Sequence, residues 1–119
     1  MGNAAMTSPI TTHVLDQQRG TPAAGMIVKL QRLQDAGSHD LSQRTTNSDG
    51  RVTDFLPTAS LEPGVYRLIF ETRGYFEAVA QSEFFYPSVQ VDFVVTEQRS
   101  HYHVPLLLSP FGYSTYRGS

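Results

Sequence analysis

Cysteine is absent from the 119-residue chain, which excludes a disulfide framework, a thiolate zinc site and a cysteine nucleophile. Charge is sparse: 17% of residues are Asp, Glu, Lys or Arg, and the net charge is −2. That composition is not one of a highly charged disordered chain. Nor does it give an electrostatic reason to bind nucleic acid or an anionic membrane. No apolar run approaches the ~18 residues of a membrane span, and Val104 to Leu108 is among the longest. Residues 1–9, MGNAAMTSP, carry neither the basic nor the apolar region of an export signal, and Met6 stands where a myristoylation motif needs Ser or Thr. The terminal Arg117-Gly118-Ser119 is not a Ser-Lys-Leu peroxisomal address. These absences predict a soluble cytoplasmic protein with a disordered tail over residues 1–9. The remainder, 10–119, is long enough for one domain with its own core.

What is present reads as short strands between turns. Ile10 to Asp16 (ITTHVLD) is rich in β-branched residues and runs into the breaker cluster Arg19-Gly20-Thr21-Pro22. Met26 to Leu33 alternates Val28 and Leu30 against Lys29 and Gln31. A loop over Asp35 to Ser38 leads to a polar strand, Leu41 to Asn47, of solvent-facing or edge character. Asn47-Ser48-Asp49-Gly50 is the sharpest turn, and its Asp-Gly pair predicts a hairpin into the short strand that starts at Arg51. Glu62-Pro63-Gly64-Val65 is a second turn. After it Tyr66, Leu68 and Phe70 alternate with Arg67 and Glu71. Gly74 to Gln81 breaks the two-residue period and predicts one short helix, with Tyr75, Phe76 and Val79 on one face. Val89 to Val95, Val104 to Ser109 and Tyr113 to Arg117 complete the strands. Such spacing predicts an all-β, two-sheet β-sandwich with one short helix.

Four histidines are candidates for chemistry. His39 falls in the turn-rich DAGSHD stretch, where a solvated loop residue is expected. His13 lies mid-strand and shares parity with Thr11 and Leu15. His101 and His103 are two residues apart, so a continuous strand turns both to one face and alternation does not choose between them. Each is a candidate general base near neutral pH or, on the simpler account, a hydrogen-bonded histidine on a polar sheet face. A metal reading of His101-x-His103 with His13 lacks a carboxylate or a further histidine at ligand spacing, so no metal is expected. Arg51 directly follows the Asp-Gly turn. Its planar fork suits two-point binding of an imide or carboxylate edge, the simpler account being a surface arginine beside a turn. Tyr116-Arg117-Gly118-Ser119 follows strand-like sequence with no polar spacer. If ordered, it brings a hydroxyl, a guanidinium and the terminal carboxylate to one place.

Three stretches together resemble a known family. They are ITTHVLD from Ile10 with Gly20 and Pro22-Ala23, TNSDGR from Thr46 to Arg51, and HYHVPLLLSPFGYSTYRGS from His101 to the end. The chain resembles the transthyretin-related proteins over Ile10 to Ser119. Its terminal Tyr-Arg-Gly-Ser is specific to the enzyme branch, which hydrolyses 5-hydroxyisourate. The hormone-carrier branch shares the fold but lacks these histidines and that ending.

The resemblance implies a transthyretin-like sandwich assembled as a homotetramer, with active sites where two dimers meet. It implies no cofactor and a small purine-derived substrate. Its six-membered ring opens to 2-oxo-4-hydroxy-4-carboxy-5-ureidoimidazoline on the way from urate to allantoin. It also implies catalytic roles for His13, Arg51, His103 and Ser119, choosing His103 over His101, and substrate contacts from Tyr116, Arg117 and Gly118. The two imidazoles would share the proton traffic of water attack, with the base unassigned, and Arg51 would orient substrate and oxyanion. The rival expectation is a transthyretin-like carrier of a small aromatic ligand. Buried cationic groups argue against it.

Overall fold

A computed structural model describes residues 8–57, 61–97 and 100–119. Nine strands and one helix follow in the order β1 (Ile10–Asp16), β2 (Thr21–Pro22), β3 (Ile27–Gln34), β4 (Gly37–Thr45), β5 (Arg51–Val52), β6 (Gly64–Phe70), α1 (Thr72–Ala78), β7 (Val89–Val95), β8 (Tyr102–Ser109) and β9 (Gly112–Thr115). One sheet runs β2-β1-β8-β9, with β5 also pairing β1, and the other runs β4-β3-β6-β7. The expected two-sheet sandwich with one short helix is the architecture observed.

Alternation sends one set of side chains inward from each sheet. Ile10 and Val14 of β1 and Tyr102, Val104, Leu106 and Leu108 of β8 meet Val28, Leu30, Tyr66, Leu68 and Phe70 of the facing sheet, all buried. The opposite parity on β1 and β8 therefore carries Thr11, His13 and His103 on the outer face. β1 and β8 pair in parallel with Thr11 beside His103 and His13 beside Pro105, while antiparallel β5 sets Arg51 beside His13. Pairing between strands about ninety positions apart thus gathers the functional residue types on one outer surface.

Several local expectations need correction. The Asp49-Gly50 turn does not close a hairpin: β4 belongs to one sheet and β5 to the other, so the turn carries the chain across the sandwich. Asn47 Oδ1 accepts the backbone N–H groups of Asp49 and Arg51 at 2.9 and 3.0 Å, building the turn from a side chain. Only Gly50 of the Asp-Gly pair takes positive φ, at 75°, whereas the hairpin turn requires it at both central positions. His39 is not in a loop. The reversal tightens to Asp35-Ala36, β4 begins at Gly37, and His39 pairs with Arg32 on that exposed edge strand. The Thr21-Pro22 breaker forms a two-residue edge strand on Leu15 and Asp16, a position that tolerates proline.

The helix spans Thr72–Ala78 rather than 74–81. At its start buried Thr72 donates its hydroxyl to the Tyr86 carbonyl (2.6 Å), and just past its end Ala80 adopts φ 61°. Two residues of the tail expected over 1–9 are tied to the sheet: Ser8 donates its N–H to the Thr53 carbonyl, and the Pro9 carbonyl accepts the N–H of Tyr102. The remainder of that expectation, over residues 1–7, lies outside the described residues.

Gly50 seats the turn against β1. Its carbonyl accepts the Val14 N–H at 2.8 Å, and a Cβ there would collide with the Val14 carbonyl oxygen. Backbone cannot yield as a flexible side chain can, and the left-handed φ adds strain. Gly50→Ala is therefore expected to destabilise the fold by about 2–3 kcal/mol. Urea midpoints at matched chain concentration check this, and an unchanged midpoint would mean the turn is not wedged as described.

Candidate active site

The site lies on the outer face of the β2-β1-β8-β9 sheet. Thr11, Arg51, Thr53, His101, His103 and Ser119 line a cavity of about 250 Å³. Thr11 forms its floor. Although it points away from the sandwich interior it is only 3% exposed, and its Oγ1 lies 3.0 Å from His101 Nε2 and 2.8 Å from His103 Nδ1. The two imidazoles are on the same side, as strand parity requires, with ring centroids 6.3 Å apart. His101 is exposed and His103 half-buried.

The C-terminus is tied into this site. Gly118 forms a β-bridge with His103 and donates its N–H to the His103 carbonyl at 2.8 Å. A Cβ on Gly118 would lie 2.6 Å from His103 Cδ2 and 3.3 Å from Pro105 Cγ. Only glycine lets the tail backbone lie against the imidazole, and this close approach delivers Ser119 to the cavity wall. Tyr116 and Arg117 turn elsewhere. The Arg117 guanidinium stacks 4.4 Å from the Tyr102 ring centroid, and both residues line a neighbouring cavity of about 320 Å³ that His103 also borders. That larger cavity is mostly apolar and aromatic. Two imidazoles, the Arg51 side chain and the chain terminus meet in the smaller one.

His13 stands just beyond the small cavity, register partner of Arg51. Its pKa is lowered from 6.5, first by burial and then by the Arg51 charge, against a hydrogen bond to the Asp49 backbone and the Asp49 carboxylate, which raise it. His103 is also lowered, first by burial and then by Arg51, with His101 and His13 adding to the effect. Both rings are thereby held neutral near pH 7, with a free lone pair for accepting a proton. Exposed Arg51 supplies a fixed cation with a forked donor set beside them.

Of the residues expected from sequence, Arg51, His103 and Ser119 share one cavity, His13 adjoins it through Arg51, and Gly118 packs on His103. Sequence reasoning missed Thr11 and Thr53 as lining residues. Thr11 had one legible sign, its parity with His13. Its partnership with both later histidines depends on the parallel β1–β8 register, which no local pattern reveals.

The HIUase/Transthyretin family description matches residues 10–118. The chain belongs to this family. A 5-hydroxyisourate hydrolase of Mus musculus is 46% identical over 118 residues, covering 98% of this chain and 99% of the mouse protein. The solved 5-hydroxyisourate hydrolase of Klebsiella pneumoniae superposes with a TM-score of 0.80 at 38% identity, covering 92% of each chain. Sea bream transthyretin, solved in complex with thyroxine, superposes with a TM-score of 0.85 at 29% identity, covering 92% of this chain and 94% of that one. The fold is thus common to both branches, and the side chains of the site must distinguish them.

Proposed function

We propose that this family member is a 5-hydroxyisourate hydrolase, opening the six-membered ring of its substrate by adding water to a ring carbonyl. The observation that carries the reading is the grouping of His103, Arg51 and the chain terminus in one cavity, with His13 paired to Arg51 and both imidazoles shifted toward the neutral form. A carrier of apolar ligand gains nothing from this grouping, whereas hydrolysis of a polar, planar cyclic amide uses each part.

His103 is the base, because it lines the cavity and its Nδ1 is anchored on Thr11, leaving Nε2 for chemistry. It takes a proton from the attacking water as the oxygen bonds to the carbonyl carbon. Arg51 meets the negative charge that develops on the carbonyl oxygen. When the carbon–nitrogen bond breaks, His103 returns that proton to the departing ring nitrogen. The new carboxylic acid loses its remaining proton to solvent. His13, neutral and next to Arg51, offers a hydrogen-bonding group to the substrate's polar edge, and Ser119 positions water or substrate. Gly118 supports the site by its packing on His103, while Tyr116 and Arg117, which face the neighbouring cavity, shape the tail that delivers Ser119.

The protein acts as a homotetramer with its sites at the interface between dimers. Supporting this is the exposure of Arg51, His101 and Ser119 in one chain and a cavity below the usual ~300–1,000 Å³ of small-molecule sites. A second copy would complete the walls. Light scattering is expected to return the mass of four chains, and a monomer active at full rate would remove the interface from the account.

The direct test is addition of the purified protein to freshly generated 5-hydroxyisourate. Faster loss of its ultraviolet absorbance is expected, and decay at the spontaneous rate would overturn the proposal. The pH profile carries a sign. Activity needs neutral imidazole, so kcat/KM falls as the solution is acidified, with an apparent pKa below 6.5 that belongs to the coupled histidines. Since Arg51 contributes to that depression, the limb moves upward in the residual activity of Arg51→Ala. A limb above 6.5 in the native protein would contradict the assignment.

A further inference from the structure

Thr11 is a buried polar group on the outer face that touches two imidazoles, and hydrolysis as described gives it nothing to do beyond anchoring. Its hydroxyl has one proton and two acceptor lone pairs. Placed 3.0 Å from His101 Nε2 and 2.8 Å from His103 Nδ1, it cannot donate to both. If His101 accepts the hydroxyl proton, His103 must donate its Nδ1 proton to Oγ1, and His103 Nε2 is left bare. If the proton goes the other way, His103 Nδ1 becomes the acceptor, its proton moves to Nε2, and the ring loses its basic atom on the side left for chemistry.

The first arrangement is the one the surroundings favour. Arg51 lines the same cavity, and a fixed positive charge favours a lone pair over an N–H on the imidazole nitrogen left free by Thr11. His101 is exposed, so solvent is available to an Nδ1–H on that ring while its Nε2 faces the hydroxyl. Thr11 is buried in a paired strand, with its backbone set against His103, so the hydroxyl is held in place whether or not substrate is bound.

We propose that His101, Thr11 and His103 form an orienting triad, in which the Thr11 hydroxyl, held by His101, fixes His103 as the Nδ1–H tautomer with Nε2 free to act as base. Thr11 and His101 are positioning residues and His103 the catalytic one. The logic is that of a base aligned by a third group, with a hydroxyl–imidazole pair in the place a carboxylate commonly takes. The proposal rests on His103 being the base of the hydrolysis.

The test combines turnover with histidine imidazole nitrogen-15 NMR on the intact protein. In the native protein His103 is expected to show a protonated Nδ1 and an unprotonated Nε2 at neutral pH. Thr11→Val, which keeps the side-chain shape, is expected to shift His103 toward the Nε2–H tautomer and lower kcat by about 10–100-fold with KM little changed. Thr11→Ser restores the hydroxyl and is expected to recover both the tautomer and most of the rate. His101→Phe is expected to lower kcat and move the His103 tautomer in the same direction.

A native His103 already protonated at Nε2 would overturn the triad. So would a Thr11→Val spectrum identical to the native one, or a Thr11→Ser variant as impaired as Thr11→Val. If native protein hydrolyses the substrate and Thr11→Val does so equally well, the triad alone fails. If native protein shows no hydrolysis at all, the reading beneath it fails, and the NMR result still reports whether Thr11 sets the tautomer.

Discussion

Arg51→Ala is expected to lower kcat/KM for 5-hydroxyisourate by about 10²–10³, the usual loss when one oxyanion donor is removed. The side chain is exposed and, among the described residues, neither salt-bridged nor part of the core, so unfolding midpoint and assembly should be nearly unchanged. Its backbone pairing with His13 persists in the alanine variant. Loss should appear in kcat as much as in kcat/KM, because the guanidinium meets charge that exists only as water adds. Steady-state kinetics beside a urea titration measure both halves. A variant with near-native turnover would take Arg51 out of the chemistry. Equal damage to stability would recast it as a structural residue.

The second large effect is expected at a position without a functional group. Gly118→Ala places a Cβ where 2.6 Å separates it from His103 Cδ2. Either the imidazole swings off Thr11 or the tail lifts from its bridge with His103. Both displace catalytic groups by the order of an ångström, which can cost about 100-fold in rate. Neither disturbs the core, because Gly118 lies outside the paired strands and touches only the outer face. Deleting Arg117 to Ser119 should act in the same direction by removing Ser119 from the cavity. Turnover of both variants, with circular dichroism as a check on the fold, decides the matter. Native rates in either would mean that the tail decorates the site without forming it.

The strands were legible wherever one face is buried. Val28 and Leu30, or Tyr66, Leu68 and Phe70, announce their sheet by alternation alone. The same alternation put His13 on the face opposite Val14, and His101 with His103 on a common side. Partnership between strands was not legible. Asp49-Gly50 looks like a hairpin locally, but the Val14 N–H and the Asn47 side chain shape it into a turn between sheets. His39 reads as a loop residue because Gly37 and Ser38 carry turn chemistry, although their backbone pairs with β3.

The candidate site shows the same division. Its residue types stood out in the sequence, and family resemblance singled out His103, which alternation could not. Thr11 did not stand out, since a threonine in a β-branched strand looks like any strand residue. Its place beneath two imidazoles comes from the parallel pairing of β1 with β8, a long-range arrangement that only the fold supplies. Gly118 was legible as part of the ending, but the reason a glycine stands there, contact with the His103 ring, was not.

The most direct measurement is a crystal structure of the assembled protein with a hydrolysis-resistant, planar analogue of an oxidised purine. The ring is expected in the small cavity, with the oxygen of the carbonyl that water would attack toward the Arg51 guanidinium, His103 Nε2 facing that carbonyl's carbon, and Ser119 within hydrogen-bond reach. An analogue seated instead against Tyr102, Tyr116 and Arg117, with Arg51 and His103 untouched, would contradict it.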